Sequence, residues 1–168
     1  VSFDGSGDYL SLAASGDFAF GTGNWTIEGW VYPINLSSRN TIVGSYPSAA
    51  AGNWIVALED GKIALYLYPN ATFNFNWTGT TVFPINEWTH FALTRDGDNF
   101  KAFVNGNLEN SATETTGMGN LNPVRVGHYQ AAAGAYFDGY ISNLRILKGT
   151  ALYTSDFTPP EHELQPIG

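Results

Sequence analysis

Apolar and polar residues alternate in short runs from one end of the chain to the other, and no long stretch repeats with the period of a helix. Residues 24–33 give the clearest case. Trp25, Ile27, Gly29 and Val31 fall on one face of a strand, and Thr26, Glu28, Trp30 and Tyr32 on the other. Residues 54–58, 62–68, 88–94, 100–104, 124–129 and 136–147 read the same way, and a polar strand follows Leu108. Between several of these runs stand Glu59-Asp60-Gly61, Arg95-Asp96-Gly97-Asp98 and Asn105-Gly106, the residue types that tight hairpins demand. The pattern predicts roughly 11–13 antiparallel strands. So many strands in one domain need two packed sheets, an all-β sandwich. Phe3 and Phe137 each sit in core-type alternation just before an Asp-Gly pair, which predicts that the N-terminal strand lies beside the strand over 136–147.

Four segments carry a family resemblance. They are Val1-Ser2-Phe3-Asp4-Gly5-Ser6-Gly7-Asp8-Tyr9-Leu10, Trp25-Thr26-Ile27-Glu28-Gly29-Trp30-Val31-Tyr32-Pro33, Glu87-Trp88-Thr89-His90-Phe91-Ala92-Leu93-Thr94-Arg95-Asp96-Gly97 continued by Ala102-Phe103-Val104-Asn105-Gly106, and Phe137-Asp138-Gly139-Tyr140-Ile141-Ser142-Asn143-Leu144-Arg145-Ile146. In order and spacing they resemble the laminin-G-like branch of the concanavalin A-like lectin/glucanase superfamily. The ending, with Lys148-Gly149-Thr150-Ala151-Leu152-Tyr153 and Phe157-Thr158-Pro159-Pro160, is similar to a variant common in phage virion and tail proteins. The resemblance implies a concanavalin A-like jelly roll of two antiparallel sheets over residues 1–157, followed by a Pro-rich tail over 158–168. It also implies binding rather than catalysis, with glycans or surface proteins as partners at the concave sheet or the rim loops.

Composition narrows the classes. Charged residues are only 13%, and Asp and Glu outnumber Lys and Arg 15 to 7, for a net charge of −8. With no basic cluster, binding to nucleic acid or to an anionic membrane surface is disfavoured. No apolar run reaches the ~20 residues that span a bilayer. Val1 in place of Met points to a processed protein or an excised domain. The absence of Cys removes disulfides, thiolate metal sites and thiol nucleophiles.

The acidic residues show no catalytic pattern. Glu28, Glu59 and Glu87 each stand without a second acidic residue two or four positions on. A glycosidase strand needs such a pair on one face, so the chain is read as no enzyme. His90, His128 and His162 show no metal spacing, and His90 reads as structural. Many family members hold calcium at one rim, and the resemblance implies that Asp4, Asp8 and Asp138 would gather around such an ion through oxygen ligands. Ser142-Asn143 depart from the acidic residues often found there.

Sugars are held by stacking on rings, with polar groups meeting their hydroxyls. Trp25 and Trp88 are assigned to the core, where the family uses those strands. Trp54, Tyr66, Tyr68 and Trp77 are the stacking candidates, and at least two of them are expected exposed on one side. The chain is thus read as a non-catalytic module that recognises glycans outside cells or on a virion surface. The alternative is a structural module that decorates a capsid or braces a fibre through a protein interface.

Overall fold

The computed structural model describes residues 1–36, 39–47, 52–68, 75–119, 121–129 and 134–161, with backbone only at 75 and 76. The Ala-rich loops over 49–52 and 131–134 fall largely outside these residues, as do His162 and the end of the tail. Twelve strands are present: β1 (Ser2–Asp4), β2 (Leu10–Leu12), β3 (Trp25–Pro33), β4 (Asn40–Ser45), β5 (Asn53–Glu59), β6 (Lys62–Tyr68), β7 (Phe75–Val82), β8 (Thr89–Asp96), β9 (Asn99–Val104), β10 (Asn107–Thr113), β11 (Val124–Val126) and β12 (Asp138–Lys148). The one helical element among the described residues is a single 3-10 turn over Gly16–Phe18. No helix is long and apolar enough to cross a membrane among them.

The strands form two six-stranded antiparallel sheets, ordered β1-β12-β3-β8-β9-β10 and β2-β11-β4-β5-β6-β7. As expected, the N-terminal strand pairs with β12, with Phe3 opposite Gly139 and Asp4 opposite Asp138. The strand period decides which side chains enter the core. From the first sheet come Trp25, Ile27, Val31, Phe91 and Leu93; from the second come Ile42, Trp54, Val56, Leu58, Ile63 and Leu65. The indole of Trp25 packs edge-on to Phe100 at 5.5 Å, and Phe20 bridges it to Trp54.

Gly29 occupies a core-facing position where its strand neighbours carry Trp, Ile and Val. A bulge in β12 between Ser142 and Arg145 explains it. A Cβ on Gly29 would stand 3.2 Å from the Leu144 Cα, a tight contact that a larger residue could make only if the bulged backbone moved away from β3. Asn143, in the bulge, has φ +50°.

The outer face of the first sheet is half covered by the chain's own continuation. Residues 149–161 run over it as a strap. Thr26 accepts from the Leu152 N–H and donates to the Thr150 carbonyl, while Thr94 donates to the Tyr153 carbonyl. Phe157 N–H donates to the Gly106 carbonyl. The rings of Tyr153 and Phe157 stack at 3.6 Å, with Phe103 edge-on to Phe157. Beneath the strap lies a fully buried carboxylate, Glu28, which accepts from Arg145 Nε at 2.9 Å and from the Tyr153 hydroxyl at 2.9 Å, and meets His90 Nε2 at 3.3 Å. These bonds explain why polar residues on the outer face of β3 and β8 are buried.

Two consequences can be measured. Asn105-Gly106 forms the β9–β10 turn with φ +49° and +79°, and a Cβ on Gly106 would meet the Phe157 carbonyl oxygen at 1.9 Å. Gly106→Ala should therefore cost at least about 1–2 kcal/mol from backbone strain alone and loosen the strap, read as a lower urea midpoint and faster proteolysis after residue 148. An unchanged midpoint would contradict this packing. For Glu28, burial pushes the pKa up, but the bonds from His90, Arg145 and Tyr153 outweigh it and hold the carboxyl below its usual range. Its contribution is then full above the unfolded value of about 4.3 and lost as pH falls through the lower folded value. Acid titration of stability should show this loss, and Glu28→Gln should flatten it; an identical acid limb in both proteins would refute the assignment.

Candidate functional site

The outer face of the second sheet carries the densest polar-aromatic cluster among the described residues. In the β5–β6 hairpin Ile55 pairs with Tyr66, Ala57 with Ala64 and Glu59 with Lys62. Leu65 and Leu67 point to the core, so Tyr66 and Tyr68 share the outer face, as strand period predicts. The small Ala57–Ala64 pair leaves room for the Tyr66 ring to reach along the strand and donate its hydroxyl to Glu59 at 2.8 Å. Arg39 lies over that ring, 4.3 Å from its centroid, and ion-pairs with Glu59. Its guanidinium also donates to the hydroxyls of Tyr66 and Tyr129, each at 3.2 Å. Tyr46 packs against Tyr68 at 4.4 Å and against Tyr129 at 5.6 Å.

Four tyrosines thus surround one Arg–Glu pair. Tyr66 and Tyr129 are buried, whereas Tyr46, Tyr68, Arg39 and Glu59 keep part of their surface in solvent. Burial pulls the Arg39 pKa down, but Glu59 more than offsets it, and the guanidinium stays charged. Burial, with Glu59 alongside, raises the Tyr66 hydroxyl. Burial and Tyr46 push Tyr68 up to about 12. At neutral pH the cluster therefore offers protonated hydroxyls, a guanidinium and a carboxylate, a set able to donate to and accept from neighbouring sugar hydroxyls. On the β11 side of the same sheet, Arg125 lies over Tyr9 at 4.1 Å and His128 stacks on Tyr136 at 3.9 Å.

The sequence candidates separate. Trp54 is fully buried between the sheets, because it stands in phase with Val56 and Leu58; it cannot stack on a ligand. Trp77 sits opposite Leu65 and packs against the same core, half-buried. Tyr66 and Tyr68 do lie together on the outer face, yet Tyr66 is 2% exposed and Tyr68 only partly open. The expectation of two exposed rings among these four is not met. Trp88, assigned to the core by resemblance, is 46% exposed. It stands in phase with His90, not with Phe91 and Leu93, so the alternation itself places it outside. Nothing local in the sequence marks Arg39, Tyr46 or Tyr129, which reach the cluster from separate segments.

Of the three carboxylates expected to share a metal, the structure pairs two. Asp4 and Asp138 are cross-strand partners. However, Asp4 already accepts from the Ser6 N–H at 2.9 Å and the Ser6 hydroxyl at 3.1 Å, which hold its carboxyl below the usual range. Among the described residues no group of three or more His, Asp or Glu is placed to hold a metal ion. Of the strand-borne glutamates, Glu28 and Glu59 lie on the outer faces of different sheets, each ion-paired with an arginine, and Glu109 on β10 accepts from Thr80 and Thr81.

Residues 4–154 match a laminin G-type family model described as the concanavalin A-like lectin/glucanases superfamily. Among curated protein sequences none matches. Solved structures share the fold. Domains LG4-5 of the mouse laminin alpha1 chain superpose with TM-score 0.69 at 21% identity, over 90% of this chain and 41% of that one. Domain 4 of the extracellular GH43 arabinanase AbnA from Geobacillus stearothermophilus, in complex with arabinotriose, gives 0.68 at 20% identity over 88% and 69%. The CBM40 of the Ruminococcus gnavus IT-sialidase, bound to alpha2,3 sialyllactose, gives 0.66 at 12% over 88% and 92%.

Because Asp4 is already bonded within its own turn, millimolar calcium should leave the melting temperature of the purified protein unchanged. A rise that Asp138→Ala abolishes, the linkage signature of an ion bound only to the folded state, would overturn this.

Proposed function

The chain belongs to the concanavalin A-like lectin/glucanases superfamily, and from that premise we propose that it is a non-catalytic glycan-binding module working outside the cell or on a virion surface. The observation that carries this reading is the Arg39–Glu59 pair ringed by Tyr46, Tyr66, Tyr68 and Tyr129 on the outer face of the second sheet. A sugar presents C–H faces and hydroxyls together. The half-open rings of Tyr46 and Tyr68 suit the first, and the guanidinium, carboxylate and phenol oxygens suit the second. The cluster is also fixed before any ligand arrives, since each polar tip already holds another, which lowers the ordering cost of binding.

Two of the structural relatives support the same reading, being a domain in complex with arabinotriose and a module bound to sialyllactose. The low charge adds to it: an uncharged ligand can be met without stripping water from many ions. The resemblance of residues 139–160 to a variant common in phage virion proteins is the basis for the virion setting.

A glycan array probed with the purified chain should show saccharide binding. For the best saccharide, Tyr68→Ala should weaken affinity by about 1–2 kcal/mol, between five- and thirtyfold in Kd, with a smaller loss for Tyr68→Phe. Binding that is indifferent to Tyr68, Tyr46 and Arg39 substitutions would remove the site from this face. Turnover of a bound oligosaccharide would refute the non-catalytic assignment.

A further inference from the structure

The strap covers only part of the outer face of the first sheet. Successive rungs across β12, β3 and β8 show where it stops. Arg145, Glu28 and Ala92 share one rung, beneath Tyr153. On the next outward-facing rung stand Ser142, Trp30 and His90. Beyond it Tyr140 pairs with Tyr32, and Trp88 follows directly on the Thr89–Val31 pair, which sets it beside Tyr32. On these last two rungs the face opens. Trp88 is 46% and Tyr140 43% exposed, and Trp30 and Tyr32 are half-buried.

The open rings are held in fixed geometry. Tyr32 meets Trp88 at 5.5 Å and Tyr140 at 5.6 Å, both edge-to-face, and Trp88 lies 6.5 Å from Tyr140. Beside them is a hollow of about 290 Å³ lined by Trp30, Trp88, Ser142, Asn143 and Glu161. The β12 bulge, with Asn143 in the left-handed region, brings the serine and asparagine to its wall. The strap's Glu161 closes the remaining side.

We propose that this platform is a second saccharide-binding surface, on the opposite face of the sandwich from the Arg39 cluster, and that it takes a neutral sugar ring. The chemistry decides the class. Fixed indole and phenol rings present apolar surface to C–H faces, while a hydroxyl, an amide and a carboxylate line the hollow to meet hydroxyls. Among the described residues its lining has one carboxylate and no Lys or Arg, so a sulfated, phosphorylated or carboxylated sugar meets repulsion with no counter-charge there. Its volume lies at the small end of ligand hollows, about 300–1,000 Å³, suited to a ring or two at a chain end. The proposal shares the glycan reading above but places contact on different residues, so the two can fail separately.

The test uses the whole chain and Trp fluorescence. Trp25 and Trp54 are fully buried and Trp30 and Trp77 half-buried, so acrylamide quenching reports chiefly on Trp88. The probes are maltotriose, cellotriose and arabinotriose, with sialyllactose as the anionic counterpart and tetramethylammonium as a cation. A neutral trisaccharide should protect Trp88 from acrylamide, and that protection should need at least tenfold more sugar in Tyr140→Ala and in Asn143→Gly, which removes the amide while keeping the left-handed backbone. Trp88→Ala should lose the neutral-trisaccharide component of binding by titration calorimetry while any binding that depends on Tyr68 remains, and Trp88→Tyr should recover most of the lost component. Unchanged thermal melts in these variants exclude misfolding. The proposal is overturned if no neutral sugar protects Trp88, if sialyllactose or tetramethylammonium protects it instead, or if the wild type self-associates through this face and Trp88→Ala abolishes that. Saccharide binding lost only with Tyr68→Ala would refute the platform and leave the first site standing; no saccharide binding to any variant would defeat both.

Discussion

A buried carboxylate organises half of this molecule. Glu28 sits on β3 facing away from the main core, where a charge would ordinarily be hydrated. The strap removes that water, and the chain replaces it with Arg145 from β12, His90 from β8 and the Tyr153 hydroxyl. Removing one partner of a buried pair strands the other charge, typically at a cost of about 3–5 kcal/mol. Three segments far apart in sequence are therefore obliged to stay together around one residue. Phe103 and Phe157 close over the same region, so the strap brings a second, smaller apolar layer outside the sandwich. The first sheet is in effect packed on both faces over half its width and on one face over the rest.

That division accounts for where open aromatic surface remains. Under the strap the outer rungs hold Thr26, Glu28 and Thr94, polar groups that bond the strap's backbone or its tyrosine. Beyond it they hold Trp30, whose ring meets His90, and Tyr32, Trp88 and Tyr140, whose rings pack on one another. The second sheet solves its outer face differently, with tyrosines folded around an Arg–Glu pair. One face is rich in exposed ring and the other in hydrogen-bonding tips. A domain with a contact surface on each side can hold two chains, or two stretches of a branched one, and gain by effective concentration what each contact lacks alone.

The strands were legible because their period is short and their turns are explicit. Lys62–Tyr68 and Trp25–Pro33 can be read residue by residue, and Asn105-Gly106 announces its hairpin. Short or weakly patterned strands such as β2, β4 and β7 do not stand out, since three residues or a mixed run carry too little alternation. For the ring placements the alternation was the better guide. Trp54 in phase with Val56 is core and Trp88 in phase with His90 is not, whereas the family's use of that strand put Trp88 in the core. What no local pattern can show is convergence. Arg145 meets Glu28 across 117 positions and Tyr129 meets Arg39 across 90, and only the register of the sheets brings them together. Of the aspartates, Asp4 and Asp138 are paired across strands as their motifs suggest, while the turn after β1 engages Asp4 with Ser6, a local bond that no strand pattern shows.

The strap has a mechanical side. Its attachments follow one another along the chain, at Thr150, Leu152 and Tyr153, then Phe157, with Glu161 at the hollow beside Trp30 and Trp88. Tension applied through the chain beyond residue 161 would load them one at a time, starting from the far end, as in peeling a tape, while the sandwich strands carried little of it. Glu161, which lines the hollow, lies beyond the last of these bonds and would be displaced first. Load would therefore reshape that hollow well before the sheets separated, and the grip of the face on anything seated there would depend on how hard the chain was pulled.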